Sequence, residues 1–86
     1  KGDILKRLRR IEGQVKGVQR MIEEEKYCVD ILTQIAAIRA AVNKAGAIVL
    51  QNYSETCVKD AVVSGDKDKA IDELMNTVQK FLKFID

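Results

Sequence analysis

Apolar residues recur along this chain with the period of an α-helix, and no segment shows the strict alternation that a strand needs. Asp3 is suited to cap the first helix. The charged run at 23–26 interrupts the apolar pattern and predicts a turn near residues 25–28. The first seam, spaced alternately four and three residues apart, consists of Ile4, Leu8, Ile11, Val15, Val18 and Ile22.

A second apolar stretch runs from Cys28 to Val63 with Gly46 as its only helix breaker. A helix of 36 residues is about 54 Å long, whereas a compact chain of this length has a radius of gyration of about 12 Å. The helix is therefore expected to extend beyond its own monomer and to bury its apolar stripe against a second copy. The stripe consists of Ile31, Leu32, Ile35, Ile38, Val42, Ala45, Val49 and Thr56.

The segment Ser64-Gly65-Asp66 separates the second helix from a third. Gly65 is a C-cap signal and Asp66 a suitable N-cap. We predict an all-α fold of three helices with a long central helix, in a single domain over residues 1–86. The third seam consists of Ile71, Leu74, Val78, Phe81 and Ile85.

Composition excludes several classes of protein. Hydrophobic residues make up 47% of the 86 residues and charged residues 33%, which is neither a disordered nor a membrane-spanning composition. The chain has no His, so neither a hydrolytic triad nor a His-based zinc site is available, and we predict that it is not an enzyme. Two Cys are too few for a disulfide scaffold, and a reducing, cytoplasmic setting without membrane contact is expected.

Positive charge is concentrated at the start of the chain. Residues 1–20 carry seven basic and two acidic residues, a net +5, whereas residues 21–86 carry eight basic and eleven acidic residues, a net −3. This asymmetry predicts a polyanion partner; the alternative is a solvated helix face. The basic residues are Lys1, Lys6, Arg7, Arg9, Arg10, Lys16 and Arg20.

Cys28 and Cys57 are 29 residues apart, about 20° past eight full helical turns and about 43 Å along the axis. They thus share a helix face but cannot meet within one unbroken helix. An antiparallel copy crossing near residues 42–43 would bring Cys28 beside Cys57 of the partner subunit, twice per dimer. The alternative is that both are ordinary buried cysteines. The small residues beside this crossing are Ala40, Ala41, Ala45 and Gly46.

The order and spacing of several motifs resemble the CsoR family, the copper-sensing operon repressors of bacteria. These are RLRRIEGQVKG at 7–17, Met21-Ile22-Glu23, Tyr27-Cys28 and Gln34-Ile35-Ala36-Ala37. The resemblance covers nearly the whole chain. It implies an antiparallel four-helix-bundle homodimer, pairing of dimers into a homotetramer, and binding of double-stranded operator DNA without a helix-turn-helix until an inducer releases it.

The resemblance also implies a sensor site, and this sequence departs from the family pattern at one of its positions. Copper-sensing members use a Cys, a His four residues before a second Cys, and that second Cys. Cys28 and Cys57 match the thiols, but Tyr53 stands at the His position. Two thiolates still suit Cu(I), a soft ion, whereas a phenol replaces imidazole poorly. Nickel and cobalt sensors need several His, and formaldehyde sensors rely on one Cys and the native N-terminus.

The remaining subgroup keeps both thiols and lacks the His: the persulfide-sensing, CstR-like repressors. Their thiols react with per- or polysulfides to give di- to tetrasulfide bridges between subunits, with no metal or cofactor. We therefore predict a repressor of this type. The alternatives are a Cu(I)-responsive repressor with a Cys28/Cys57 bis-thiolate site, and a helical oligomerisation module that does not bind DNA.

Other positions take roles from the same resemblance. Tyr27 and Glu73 match residues that connect the copper site to allosteric change in relatives, although without the His a solvated role is expected for Glu73. Arg7 and Lys44 match positions associated with operator contact. The surrounding positive charge comes from Arg9, Arg10, Lys16 and Arg20.

Overall fold

Three helices account for most of residues 2–83, which the computed structural model describes. They are α1 (Gly2–Glu23), α2 (Cys28–Ser64) and α3 (Lys67–Lys83). The described residues contain no strand. The predicted all-α fold with a long central helix is confirmed, and α2, with 37 residues, ends one residue beyond the predicted Val63. None of the three helices combines the length and apolarity needed to cross a bilayer.

The chain divides into two compact units within α2. The first holds α1 and α2 up to Ala47, and the second holds the rest of α2, from Ile48, with α3. The single domain over residues 1–86 stays a prediction.

The first unit contains the small hydrophobic core. Ile11 and Val18 of α1 are each 9% exposed, and Ala45 of α2 is 4% exposed. Ile11 and Val18 are two turns apart on one side of α1, which fixes the side that this helix presents to the core. Leu8 and Val15, from the same predicted seam, remain 41% and 40% exposed. The seam is therefore divided between the core and an uncovered flank.

The apolar stripe of α2 is divided in the same way. Ile31 and Ile38 are half-buried, whereas Leu32, Val42 and Val49 are 62%, 47% and 52% exposed. Burying one such side chain fully is worth about 1.5–3 kcal/mol. The exposed half of the stripe leaves that free energy available to another chain, as the predicted antiparallel dimer would require.

In the second unit, α3 turns Ala70 rather than Ile71 toward α2. Ile71 is 57% exposed, while Ala70, Leu74 and Phe81 are half-buried. Ile71 lies about 80° from the centre of this half-buried side and is therefore a more exposed member of the predicted seam in this chain. Ile85 lies outside the described residues.

Two short connections end the helices as the sequence predicted. Between α1 and α2, the N–H of Lys26 donates to the carbonyl of Met21 at 2.9 Å, and Glu25 takes a positive φ of 54° without being glycine. Between α2 and α3, Gly65 has φ of 77°, and the Asp66 carboxylate accepts the N–H of Lys69 at 3.4 Å. Gly65 and Asp66 are thus the C-cap and N-cap that the sequence indicated.

Gly65→Ala is expected to lower the free energy of unfolding by about 1–2 kcal/mol, because an L-residue with a side chain is strained at this φ. The thermal unfolding midpoint, followed by circular dichroism at one fixed protein concentration, checks this. Gly13→Ala is the matched control, because Gly13 lies within α1 and a Cβ there meets no atom within 4 Å. Alanine should stabilise that position by about 1 kcal/mol. Equal midpoints for the two variants would contradict the assignment of Gly65 as the helix terminator.

Candidate functional site

Cys28 lies in the first turn of α2 and its side chain is exposed. The carbonyl of the preceding residue, Tyr27, accepts the N–H groups of Asp30 and Ile31 at 3.0 and 3.2 Å. The first N–H groups of a helix lack intrahelical partners and favour negative charge nearby. The Cys28 thiol is therefore accessible from solvent at the start of α2. The Tyr27 side chain is 68% exposed.

Cys57 has a different environment in the second unit. It is half-buried, and its thiol donates to the backbone carbonyl of Ala70 in α3, with Sγ and O 3.3 Å apart. A thiol is a weak donor, yet this bond joins the side chain of one helix to the backbone of another. Nothing in the residue types predicted Ala70 as the partner, since its contribution is a main-chain oxygen.

Tyr53 and Glu73 line one groove with Cys57. The groove has a volume of about 330 Å³ and lies between the C-terminal part of α2 and the first half of α3. The structure therefore brings three sequence-predicted site residues together, while Tyr27 and Cys28 lie in the first unit. The other residues of the groove are Thr56, Asp60, Ala61, Ser64, Asp66, Lys69 and Ala70.

A second groove, of about 210 Å³, reaches Cys57 from an apolar side. Cys57, Ala61 and Ala70 line both grooves. Because the two alanines are small, they allow α2 and α3 to lie close together at this point. The remaining residues of the apolar groove are Val58, Val62, Lys67, Ile71 and Leu74.

The two cysteines are the thiolate donors that this chain offers to a soft metal. Both are free, and the described residues contain no group of three or more His, Cys, Asp or Glu arranged to hold an ion. Two thiolates fit Cu(I), which is soft and accepts sulfur ligands. They fit Ni²⁺ or a structural Zn²⁺ site poorly, because those ions call for imidazole or for more thiolates.

Basic side chains occupy the side of α1 opposite the core. Arg9, Lys16 and Arg20 are exposed and lie about 140–180° around the helix from Ile11. Exposed Arg10 extends this outer face. None of these four residues has a carboxylate partner among the described ion pairs.

The two other predicted DNA contacts lie in the same unit but in different settings. Arg7 is half-buried, and its Nε donates to the Asp3 carboxylate at 3.1 Å. Lys44 is exposed on α2. All six predicted DNA-contact residues thus belong to one compact unit, although Arg7 is less exposed than the other five.

Comparison with known proteins assigns this helical chain to the transcriptional repressors rather than to any enzyme class. The family described as metal-sensitive transcriptional repressor matches residues 1–80. The chain therefore belongs to this family, the CsoR family that its motifs indicated.

Two curated relatives are named copper-sensing repressors. CsoR of Bacillus subtilis is 48% identical over 83 residues, which cover 96% of this chain and 82% of that protein. RicR of Mycobacterium tuberculosis is 49% identical over 65 residues, covering 76% of this chain and 68% of that protein.

Two solved structures share the fold. The copper-sensing repressor CsoR with Cu(I) from Geobacillus thermodenitrificans superposes with a TM-score of 0.83 at 44% identity, covering 94% of this chain and 84% of that one. The nickel-responsive regulator InrS superposes with a TM-score of 0.86 at 30% identity, covering 93% and 90%.

Alkylation should distinguish the two thiols. A maleimide is expected to modify Cys28 several times faster than Cys57, because Cys28 is exposed whereas Cys57 is half-buried and hydrogen-bonded to Ala70. Mass spectrometry of Cys28→Ser and Cys57→Ser, each retaining one thiol, measures the two rates. Both variants should react equally fast in denaturant. Faster modification of Cys57 in the folded protein would contradict the described environments.

Proposed function

We propose that this chain is a cytoplasmic repressor that binds double-stranded operator DNA and releases it when an inducer engages Cys28 and Cys57 of the partner subunit. The observation that carries this proposal is the presence of two free thiols, in different environments, on the long helix of a repressor-family chain. The fold assignment supports regulation of transcription, and the thiols supply the reactive groups.

Assembly into an antiparallel dimer, and of dimers into a tetramer, is part of the proposal. Its support is the exposed apolar flank of α1, which includes Leu8 and Val15, together with the exposed half of the α2 stripe, which includes Leu32, Val42 and Val49. Large apolar side chains that stay exposed along parts of two helices indicate a site of interaction with another molecule. A second copy would cover the stripe and supply the other thiol of each site.

The DNA contact is proposed for the basic side chains of the first unit. Arg9, Lys16 and Arg20 form a row about 16 Å long on the outer face of α1, and Arg10 and Lys44 add charge. Gly13 lies within this row and leaves the helix backbone uncovered, so a phosphate strand can approach closely. Phosphate contacts give affinity and position but carry little sequence information.

Cu(I) is the inducer that the comparisons favour. The CsoR relatives are named copper-sensing, and the solved structure from Geobacillus thermodenitrificans contains Cu(I). Cys28 of one subunit and Cys57 of the other would hold the ion as thiolates, and each thiol would release its proton on binding. Bound Cu(I) would supply a soft link between subunits.

A per- or polysulfide is the second candidate inducer, and Tyr53 is the observation that favours it. Tyr53 lines the groove beside Cys57 where copper-sensing relatives would offer imidazole. In this chemistry the exposed Cys28 thiolate attacks a sulfane sulfur and releases a thiolate. Cys57 of the partner subunit then attacks the Cys28 persulfide, forms a disulfide and releases hydrogen sulfide. A polysulfide would leave one or two of its sulfur atoms between the two cysteines, which gives a tri- or tetrasulfide bridge.

Charge removal on α1 tests the DNA contact. The variant Arg9→Gln/Lys16→Gln/Arg20→Gln should weaken operator binding about tenfold or more, and the salt dependence of log K should fall by about 0.9 for each phosphate that the variant no longer neutralises. Fluorescence anisotropy over a salt series measures both quantities. Circular dichroism should show unchanged helix content.

Lys59→Gln/Lys80→Gln/Lys83→Gln is the matched control, because it removes the same charge from exposed positions of the second unit. It should bind nearly as the wild-type chain does. If both triple variants bind equally weakly, net charge rather than the outer face of α1 determines binding.

A third variant, Arg7→Glu/Lys44→Glu, tests the two positions taken from the resemblance, and it should abolish operator binding.

Mixed dimers test the intersubunit site and identify the inducer. Cys28→Ser and Cys57→Ser should each fail to respond alone, whereas a dissociated and reassembled equal mixture should regain about a quarter of the wild-type sites. Half of the dimers in such a mixture contain one chain of each variant. In each of these dimers, one of the two intersubunit sites keeps both Cys28 and Cys57. Native mass spectrometry counts bound Cu(I) or added sulfur atoms, with operator release measured in parallel.

The result distinguishes the two inducers. Release by Cu(I), bound more tightly than by a competing small thiol, supports the copper repressor. Release by persulfide with covalently linked subunits, and none by Cu(I), supports the sulfur sensor. A mixture as inert as its parents would show that the thiols do not act across a subunit boundary.

A further inference from the structure

The thiol of Cys57 has a structural contact that the proposed sensor chemistry must break. Its S–H donates to the carbonyl of Ala70, in the first turn of α3, with Sγ and O 3.3 Å apart. Among the described residues, this is the only side-chain hydrogen bond that joins α2 to α3.

Few other interactions hold α3 in the second unit. Its inward residues Leu74, Val78 and Phe81 are only half-buried, and no residue of α3 is fully buried. Helices held by few buried contacts open at low free-energy cost. The hydrogen bond from Cys57 near the start of α3 adds to these half-buried apolar contacts between α3 and α2.

The contact depends on the protonation of the sulfur. A thiol donates its S–H, but a thiolate, a metal-bound thiolate or a sulfur in a disulfide has no proton to donate. Cu(I) held by Cys57 would take the place of the thiol proton, which would pass to solvent. Sulfur bridging replaces the S–H bond by an S–S bond, and the proton again leaves. In each case Sγ and the Ala70 oxygen would face each other as two acceptors.

We infer that the hydrogen bond from Cys57 to Ala70 is a latch, opened by reaction or metal binding at Cys57, that frees the first turns of α3 from α2. The small side chains of Ala61 and Ala70, which line both grooves beside Cys57, bring the helices close enough for the latch. The inference rests on the proposed function for the identity of the inducer, and it adds the first structural consequence of that event.

Hydrogen exchange of the full-length assembly, read by mass spectrometry on peptides covering residues 67–74, tests the latch. Cys57→Ala removes the donor and should speed exchange in this segment about twofold, the low end of the range for one net hydrogen bond, because a thiol is a weak donor. Cys57→Ser keeps a donor and should exchange nearly as wild type. Ser54→Ala is the matched control, because the Ser54 hydroxyl donates to Leu50 within α2; it should leave α3 unchanged.

Cu(I) added to the wild-type protein should accelerate exchange in the same segment, and it should have little effect on Cys57→Ala. The latch is overturned if Cys57→Ala exchanges as slowly as wild type, or if neither Cu(I) nor a persulfide accelerates exchange in wild type. Operator binding measured on the same samples separates the two claims. DNA release without faster α3 exchange refutes the latch alone, whereas faster exchange without release supports the latch and refutes the proposed function.

Discussion

The burial of Ile11 and Val18 is the constraint on which the first unit depends. Both residues lie on one side of α1 at 9% exposure, and Ala45 completes the core from α2. Their burial fixes the rotation of α1, so that Arg9, Lys16 and Arg20 face solvent. One apolar pair thus determines which side of the helix is available to a polyanion.

The same rotation leaves apolar surface uncovered. Within this chain the seam of α1 is covered only in part, since Leu8 and Val15 remain 41% and 40% exposed beside the buried pair. With only three buried hydrophobic residues among those described, the chain has little core of its own. Small domains gain most from covering such surface with another copy, and the proposed sensor site would need a second copy as well, since it would take one thiol from each of two chains.

Much of the fold could be predicted because local signals agreed along the chain. Gly65 and Asp66 end one helix and begin the next through backbone conformation and capping, and both effects belong to the residue types themselves. The side of α3 that faces α2 was harder to predict. Ile71 belongs to the apolar seam, but burial depends on the angle at which two helices meet, and there Ala70 takes the inner position.

The candidate site was predictable to a similar degree. Tyr53 and Glu73 were placed beside Cys57 by resemblance, and the groove contains all three. The hydrogen bond from Cys57 to Ala70 could not be foreseen, because its acceptor is a main-chain carbonyl that every residue type possesses. Which carbonyl lies within reach of a thiol is decided by the packing of two helices, which no local pattern encodes.

The contrast between the two cysteines bears on either inducer. An exposed thiol in a first helical turn can capture a soft ion or a sulfane sulfur directly from solvent, and Cys28 is such a thiol. A half-buried thiol that donates to another helix gives up a structural contact when it reacts, and Cys57 is in that position. In the proposed function, capture of the inducer and the structural response would therefore fall to different residues. This would hold for copper and for sulfur alike, because either would replace the proton that Cys57 donates to the Ala70 carbonyl.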